Sequence, residues 1–259
     1  MTSPHTSTLA SPAQTSATDT LYATANNIVE GFRFDEKVVA VFPDMIQRSV
    51  PGYSTIIAMI SQLTARYAQH GTHCYDLGCS LGAASLAMQQ GVGEKNCTIV
   101  GIDNSADMIK RCQQIVDASN KDEKKARIQL IEGAIEDIEL KPASVIVLNF
   151  TLQFLAIEKR PALLQKIARA LVPGGVLILS EKLSFNDPRH HELMIDLHHN
   201  FKRSQGYSDL EIAQKRQAIE NVLIPETFQS HQARLLNAGF SGVELWFQCF
   251  NFASMIAFK

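Results

Sequence analysis

Tyr75-Asp76-Leu77-Gly78-Cys79-Ser80-Leu81-Gly82-Ala83-Ala84 decides the fold. A short apolar strand runs into an acid, turns through small residues and enters an alanine-rich helix. Such a loop brings backbone N–H groups and a helix N-terminus against a ligand, and Gly78 and Gly82 keep side chains out of the way. One strand further on, Ile99-Val100-Gly101-Ile102-Asp103-Asn104 ends in a second acid. A carboxylate at that strand tip is placed to accept both hydroxyls of a ribose. Loop and acid together point to a nucleoside-containing ligand.

Outward from this pair the pattern alternates. Ser54–Tyr67 has helical periodicity, His73–Leu77 is a strand, and Ala83–Gln90 begins its helix. Thr98–Ile102 follows as a strand, and Ser105 caps the helix carrying Met108, Ile109 and Cys112. Arg127–Glu132 and Ser144–Asn149 are the next strands. The second is almost continuously apolar, as in a strand covered on both faces. A helix over 158–171 ends at Pro173-Gly174-Gly175, and Val176–Glu181 is strand five. Residues 183–225 interrupt with two polar helices, Pro188–Phe201 and Ser208–Val222. A helix over 227–237 precedes Val243–Cys249 and Phe252–Phe258. These two strands lie too close in sequence for a crossover, so they pair antiparallel. The expectation is an α/β fold: a doubly wound, mostly parallel, seven-stranded sheet with a C-terminal antiparallel hairpin. It has a helical insert after strand five. That arrangement is the Rossmann-like one of class I S-adenosylmethionine-dependent methyltransferases; nicotinamide-binding domains end in a parallel strand instead. One ligand-binding domain is expected over 21–259, with the insert over the active site. The Ser-, Thr-, Ala- and Pro-rich residues 1–20 form a disordered tail.

The chain has 259 residues, 46% hydrophobic and 19% charged, enough for one large core of an ordinary soluble protein. A net charge of −2 gives no global attraction to nucleic acid or anionic membrane. Five scattered cysteines suggest neither a disulfide framework nor zinc, so a reducing, cytoplasmic setting is expected. No apolar run is long enough for a signal segment or a span.

The loop fits Asp-x-Gly-x-x-x-Gly. As a dinucleotide fingerprint it lacks the middle glycine, Ser80 standing there, which disfavours a pyrophosphate. The same residues spell Gly78-Cys79-Ser80-Leu81-Gly82, a nucleophile-elbow string for which His231 could formally serve as base. That elbow should follow several strands, not the first. His190-His191 and His198-His199 lie one to two helical turns apart, but a third ligand and a metalloprotease-like spacing are missing, so no metal is expected. Cys79 reads as a loop filler, and Trp246 and Phe247 as core. Arg189, Lys202, Arg203, Lys215 and Arg216 in the insert are surface charges unless the insert hangs over the carboxyl ends of the strands, where they would suit an anionic substrate.

Several strings together resemble the carboxy-S-adenosylmethionine synthase family. They are Phe42–Tyr53 (FPDMIQRSVPGY) ahead of the first helix, YDLGCSLGAA, Asn149–Leu155 (NFTLQFL), Gln214-Lys215-Arg216 and Glu244–Phe252 (ELWFQCFNF). The likeness covers about residues 34–259. It implies a homodimer that converts S-adenosylmethionine and prephenate to carboxy-S-adenosylmethionine and phenylpyruvate. A partner enzyme then uses the product to modify 5-hydroxyuridine at the tRNA wobble position, so this chain need not touch nucleic acid or membrane. Losing the ring carboxylate aromatises prephenate, and a sheltered pocket lets the released CO₂ be trapped on the acidified sulfonium methyl before water intervenes. By the resemblance, Tyr53, Gly78, Cys79, Ser80, Asp103, Asn104 and Asn149 contact S-adenosylmethionine. Arg216 grips the transferred carboxylate, and so also contacts carboxy-S-adenosylmethionine as bound product, while Lys215 points elsewhere. Where the family has Glu-Gly-Asp-Ile, this chain has Glu132-Gly133-Ala134-Ile135. An adenine contact is therefore lost, leaving the backbone of Ala134 and Ile135 to line the base. Two other readings remain open: an ordinary S-adenosylmethionine methyltransferase acting on a small anion or RNA, and a catalytically silent cofactor-binding partner.

Overall fold

The structure is a computed structural model describing residues 17–24, 33–122, 125–219 and 222–259. Its seven strands form one sheet in the order β3-β2-β1-β4-β5-β7-β6. They are β1 (His73–Leu77), β2 (Thr98–Asp103), β3 (Ile128–Glu132), β4 (Ala143–Asn149), β5 (Leu171–Lys182), β6 (Gly242–Cys249) and β7 (Phe252–Phe258). The first five run parallel. β7 enters antiparallel between β5 and β6, opposing Ile178 to Ile256 and Leu245 to Met255. The order reverses between β1 and β4, which opens a crevice at their carboxyl ends.

Helices cover both faces. They are α1 (Glu36–Ser49), α2 (Tyr53–Tyr67), α3 (Ala83–Val92), α4 (Ala106–Ser119), α5 (Arg160–Ala170), α6 (Pro188–Ser204), α7 (Asp209–Ile219) and α8 (Phe228–Asn237). Residues 144–148 of β4 are fully buried, as the continuous apolar run requires. Alternate residues feed two cores: Ile146 and Leu148 pack with Leu163, Leu164 and Leu235, whereas Val145 and Val147 pack with Ile56, Ile60 and Met88. Ser105 caps α4 as expected, its Oγ accepting the Met108 N–H at 3.2 Å.

Three expectations change. The Phe42–Tyr53 string does not merely precede a helix, because most of it forms the second half of α1. Asp35 caps this helix (Oδ1 to Val38 N, 3.1 Å), and the interior Pro43 hides it from a periodicity reading. Strand five starts at Leu171: Pro173-Gly174-Gly175 lies inside the strand, where the pairing with β4 shifts register. Most of the expected tail, residues 1–16, lies outside the described residues, but Asp19 is packed, 2% exposed. Its N–H donates to Asp44 Oδ2 at 2.7 Å, and its carboxylate accepts from Tyr207 and Lys215. A lone carboxylate beside cations outweighs the polar composition around it.

The insert closes on itself at a bridge between Leu183 and Glu226. Arg160, fully buried, knots this base. It pairs with Glu226 and donates to Leu155 O (3.0 Å), Gln153 O (3.2 Å) and Ile224 O (3.0 Å). Arg234 takes the other Glu226 oxygen. Burial raises the Glu226 pKa, but Arg234 and Arg160 outweigh it and hold the carboxyl below its usual range.

Candidate active site

The glycine loop is tight because its neighbours are close. Gly78 (φ 84°) has no room for a Cβ, which would sit 2.4 Å from Thr151 Oγ1. Ser80 also adopts a left-handed conformation, φ 47°, held by its N–H donating to Asp103 Oδ2 at 2.9 Å. Asp103 Oδ1 accepts the Ser105 N–H at 2.9 Å. The tip of β2 is thus bonded to the loop after β1, and the carboxylate cannot swing away. Burial raises its pKa, and the N–H groups of Ser105, Ser80 and Asn104 oppose that rise. Behind the loop, Asp76 accepts from Ser85 N (2.8 Å) and Ser85 Oγ (2.7 Å), anchoring the first turn of α3. Burial pushes its carboxyl up to about 6, against those two hydrogen bonds.

A cavity of about 600 Å³ opens above this loop. Tyr53, Gly78, Cys79, Ser80, Asp103, Asn104, Ile135, Asn149 and Arg216 line it together. Ala134 does not, while its neighbours Gly133 and Ile135 do. Its carbonyl instead accepts the Asp137 N–H at 3.0 Å, which closes a turn. Asn149 Oδ1, buried at the end of β4, has no hydrogen-bond partner among the described residues. A buried orphan acceptor beside the glycine loop fits a ligand donor such as an amino group. Burial raises the Tyr53 hydroxyl pKa, with Asp76 adding to the effect. The Cys79 thiol is pushed up by the neighbouring Cys112 sulfur and by burial, so it is a filler and not an activated nucleophile.

The cavity has opposite charge at its two ends. Asp76 and Asp103 lie by the loop; Lys182, Lys202, Lys215 and Arg216 line the insert side. Sequence reasoning isolated Arg216 but missed Lys182, which ends β5. The Arg216 guanidinium makes no hydrogen bond or ion pair among the described residues. Lys215 does not point away from the cavity. It lines it with its ammonium engaged, 3.0 Å from Ser49 Oγ and 3.5 Å from Asp19 Oδ2. The other insert arginines are surface groups: Arg189 pairs with Asp187 and Arg203 with Asp209. Arg48 is bound to Asp44 at 3.0 Å and stacks 4.0 Å over Tyr207.

The histidine pairs split by environment. His190 stacks on Phe185, with ring centroids 4.4 Å apart. His198 lines the cavity, its Nε2 facing Ser49 O at 2.8 Å, and burial followed by Lys182 lowers its pKa to about 3. No group of three histidine, cysteine or acidic side chains that could hold a metal occurs among the described residues. His231 is fully buried in α8 and does not line the cavity that Ser80 lines, so the elbow reading has no base. Burial lowers the pKa of His231 to about 4. Both depressed histidines bind fewer protons folded than unfolded below about pH 6.5. Their contribution is therefore present above that pH and lost as pH falls toward 4. Thermal midpoints should drop between pH 6.5 and 4.5, and His198→Gln should flatten that dependence; an unchanged slope in a folded variant would contradict it.

The sheet order, the loop after β1, the acid after β2 and the antiparallel β7 define the class I S-adenosylmethionine-dependent methyltransferase fold. Solved structures agree on the fold. The human N-acetylserotonin methyltransferase, solved in complex with SAM, aligns with TM-score 0.59 at 18% identity, over 86% of this chain and 55% of that one. A methyltransferase-like protein of Methanococcus maripaludis aligns with TM-score 0.56 at 20% identity, over 91% and 97%. A methyltransferase-domain family model matches residues 74–175. The carboxy-S-adenosyl-L-methionine synthase of Citrifermentans bemidjiense is 55% identical over 95% of this chain and 100% of its own length. That of Vibrio cholerae is 54% identical over 93% and 97%. The chain belongs to the carboxy-S-adenosyl-L-methionine synthase family, and is an enzyme of transferase type.

Proposed function

We propose that the protein transfers the ring carboxylate of prephenate to the sulfonium methyl of S-adenosylmethionine. The ring C–CO₂ bond breaks, the ring hydroxyl leaves as the ring aromatises, the methyl carbon gives up a proton and takes the CO₂, and phenylpyruvate and water are released. The observation that carries this reading is the unpaired Arg216 guanidinium in the same cavity as the Ser80–Asp103 loop. S-Adenosylmethionine supplies a methyl group acidified by the adjacent positive sulfur. Asp103, fixed by two backbone N–H groups, holds the ribose hydroxyls. Asn149 Oδ1 accepts from the amino group of the methionine part. The glycine loop lets the ligand approach the backbone. Arg216 binds a carboxylate by two parallel hydrogen bonds and holds it against the methyl carbon. The walls from α1, among them Phe42, Met45 and Ile46, exclude water.

An ordinary methyltransferase acting on a small anion would also use the cation-rich end, so the product separates the two readings: S-adenosylhomocysteine from methyl transfer, carboxy-S-adenosylmethionine from this reaction. The protein is further proposed to work as a cytoplasmic homodimer that hands its product to a tRNA-modifying partner and does not itself bind nucleic acid. Light scattering at micromolar concentration should give twice the chain mass; a monomer would contradict the dimer. Incubation with S-adenosylmethionine and prephenate should release phenylpyruvate in step with S-adenosylmethionine loss. No phenylpyruvate would refute the reaction.

Asp103→Ala should weaken S-adenosylmethionine binding by roughly 1.5–3 kcal/mol, the worth of a charge-assisted contact. Calorimetry finding wild-type affinity in a folded variant would remove Asp103 from the ligand.

A further inference from the structure

The insert end of the cavity holds more positive charge than one carboxylate requires. Lys215 already has Asp19 and Ser49. Lys202 has neither: it is 6% exposed, lines the cavity, and its ammonium makes no hydrogen bond or ion pair among the described residues. The Tyr207 ring lies 5.4 Å from it. Lys182, at the end of β5, is likewise without such a bond and stands 5.9 Å over Phe252. We infer that Lys202 and Lys182 form a second carboxylate subsite, which holds the α-keto acid side chain of the substrate while Arg216 holds the carboxylate that is transferred.

This rests on the prephenate reading above and deepens it. A largely buried ammonium without a hydrogen-bonding partner is costly unless a ligand completes it. Lys202 faces Lys215 and Lys182, with Asp19 and Glu211 as the acids, and its charge also reaches His198 and His199 in the same wall. Burial, then Lys215 and Lys182, push its pKa down to about 7, so an arriving carboxylate would restore its proton. Prephenate carries its ring carboxylate and its pyruvyl arm on the same ring carbon, so the two subsites must be neighbours. Arg216 is near enough to Lys182 to disfavour its charged form, after burial. The Phe252 ring beneath Lys182 meets Phe150 edge-on at 5.8 Å, giving the six-membered ring an apolar wall. The keto-acid carboxylate does not react. It contributes equally to ground and transition states, and should appear in KM more than in kcat.

The test is steady-state kinetics of Lys202→Met with prephenate, together with inhibition by phenylpyruvate, which retains only the keto-acid carboxylate. Methionine preserves the length and apolar stem, and Lys182→Met is the parallel variant if Lys202→Met does not fold. KM for prephenate and Ki for phenylpyruvate should each rise roughly ten- to hundredfold. The S-adenosylmethionine Kd should not move, and Lys202→Arg should recover most of both losses. If the wild type turns prephenate over while the folded methionine variant keeps wild-type KM and Ki, the subsite is overturned and the reaction stands. If the wild type makes no product yet binds phenylpyruvate in a Lys202-dependent way, the subsite stands and the reaction reading fails.

Discussion

Arg216→Ala should cut carboxy-S-adenosylmethionine formation by about two to three orders of magnitude and leave S-adenosylmethionine affinity nearly intact. Arg216, exposed on α7, lines the cavity and its guanidinium has no partner among the described residues, so its removal costs the fold little. The lost interaction is with a carboxylate that moves between two molecules, and its main value lies in the transition state. Losing a preorganised charged donor at the reacting group costs about 3–4 kcal/mol. Arg216→Lys should restore little, because a point charge cannot make two parallel bonds to one carboxylate. Product mass after incubation with both substrates reads the effect. Near-normal turnover in Arg216→Ala would remove it from the reaction, and the structure then favours Lys182 or Lys202 over Arg48 and Arg203, which are already paired.

The second large effect concerns stability. Arg160→Ala should destabilise the fold by about 3–5 kcal/mol, since it strips a fully buried cation from Glu226 and frees three backbone carbonyls. Two of those carbonyls, Gln153 and Leu155, lie in the segment after β4 and the third, Ile224, at the C-terminal end of the insert, so the insert loses a tether to the body of the domain and turnover should fall with stability. Urea denaturation is the measurement. A loss under about 1 kcal/mol would mean that Arg234 alone holds Glu226 and that the insert is tethered elsewhere.

Where local chemistry sufficed, the sequence was a good guide. Apolar runs pointed to all seven strands, though β5 begins at Leu171 and not at Val176. The glycine loop, Ser105 and Asp103 behaved as their residue types dictate, because turn geometry, capping and strand-tip position are set by a few neighbouring residues. The misses have one cause: contacts between residues far apart in the chain. α1 was hidden by Pro43, which the helix tolerates because its buried side, Val38, Val41 and Met45, packs with Met108 and Ala218. Asp19 looked like tail until Lys215 and Tyr207, nearly two hundred residues away, were seen around it. Lys182 reads as an ordinary strand end; only the insert folding over it makes it part of a cation cluster. Ala134 illustrates the reverse, a position marked by resemblance whose carbonyl is spent on a local turn.

The most direct test of the central claim follows the carboxylate itself. Prephenate labelled with heavy carbon in the ring carboxylate is incubated with the protein and S-adenosylmethionine, and the nucleoside products are weighed by mass spectrometry. The account predicts a product heavier than S-adenosylmethionine by one labelled CO₂, with unlabelled phenylpyruvate released. S-Adenosylhomocysteine as the main product, or a carboxylated product without the label, would contradict it.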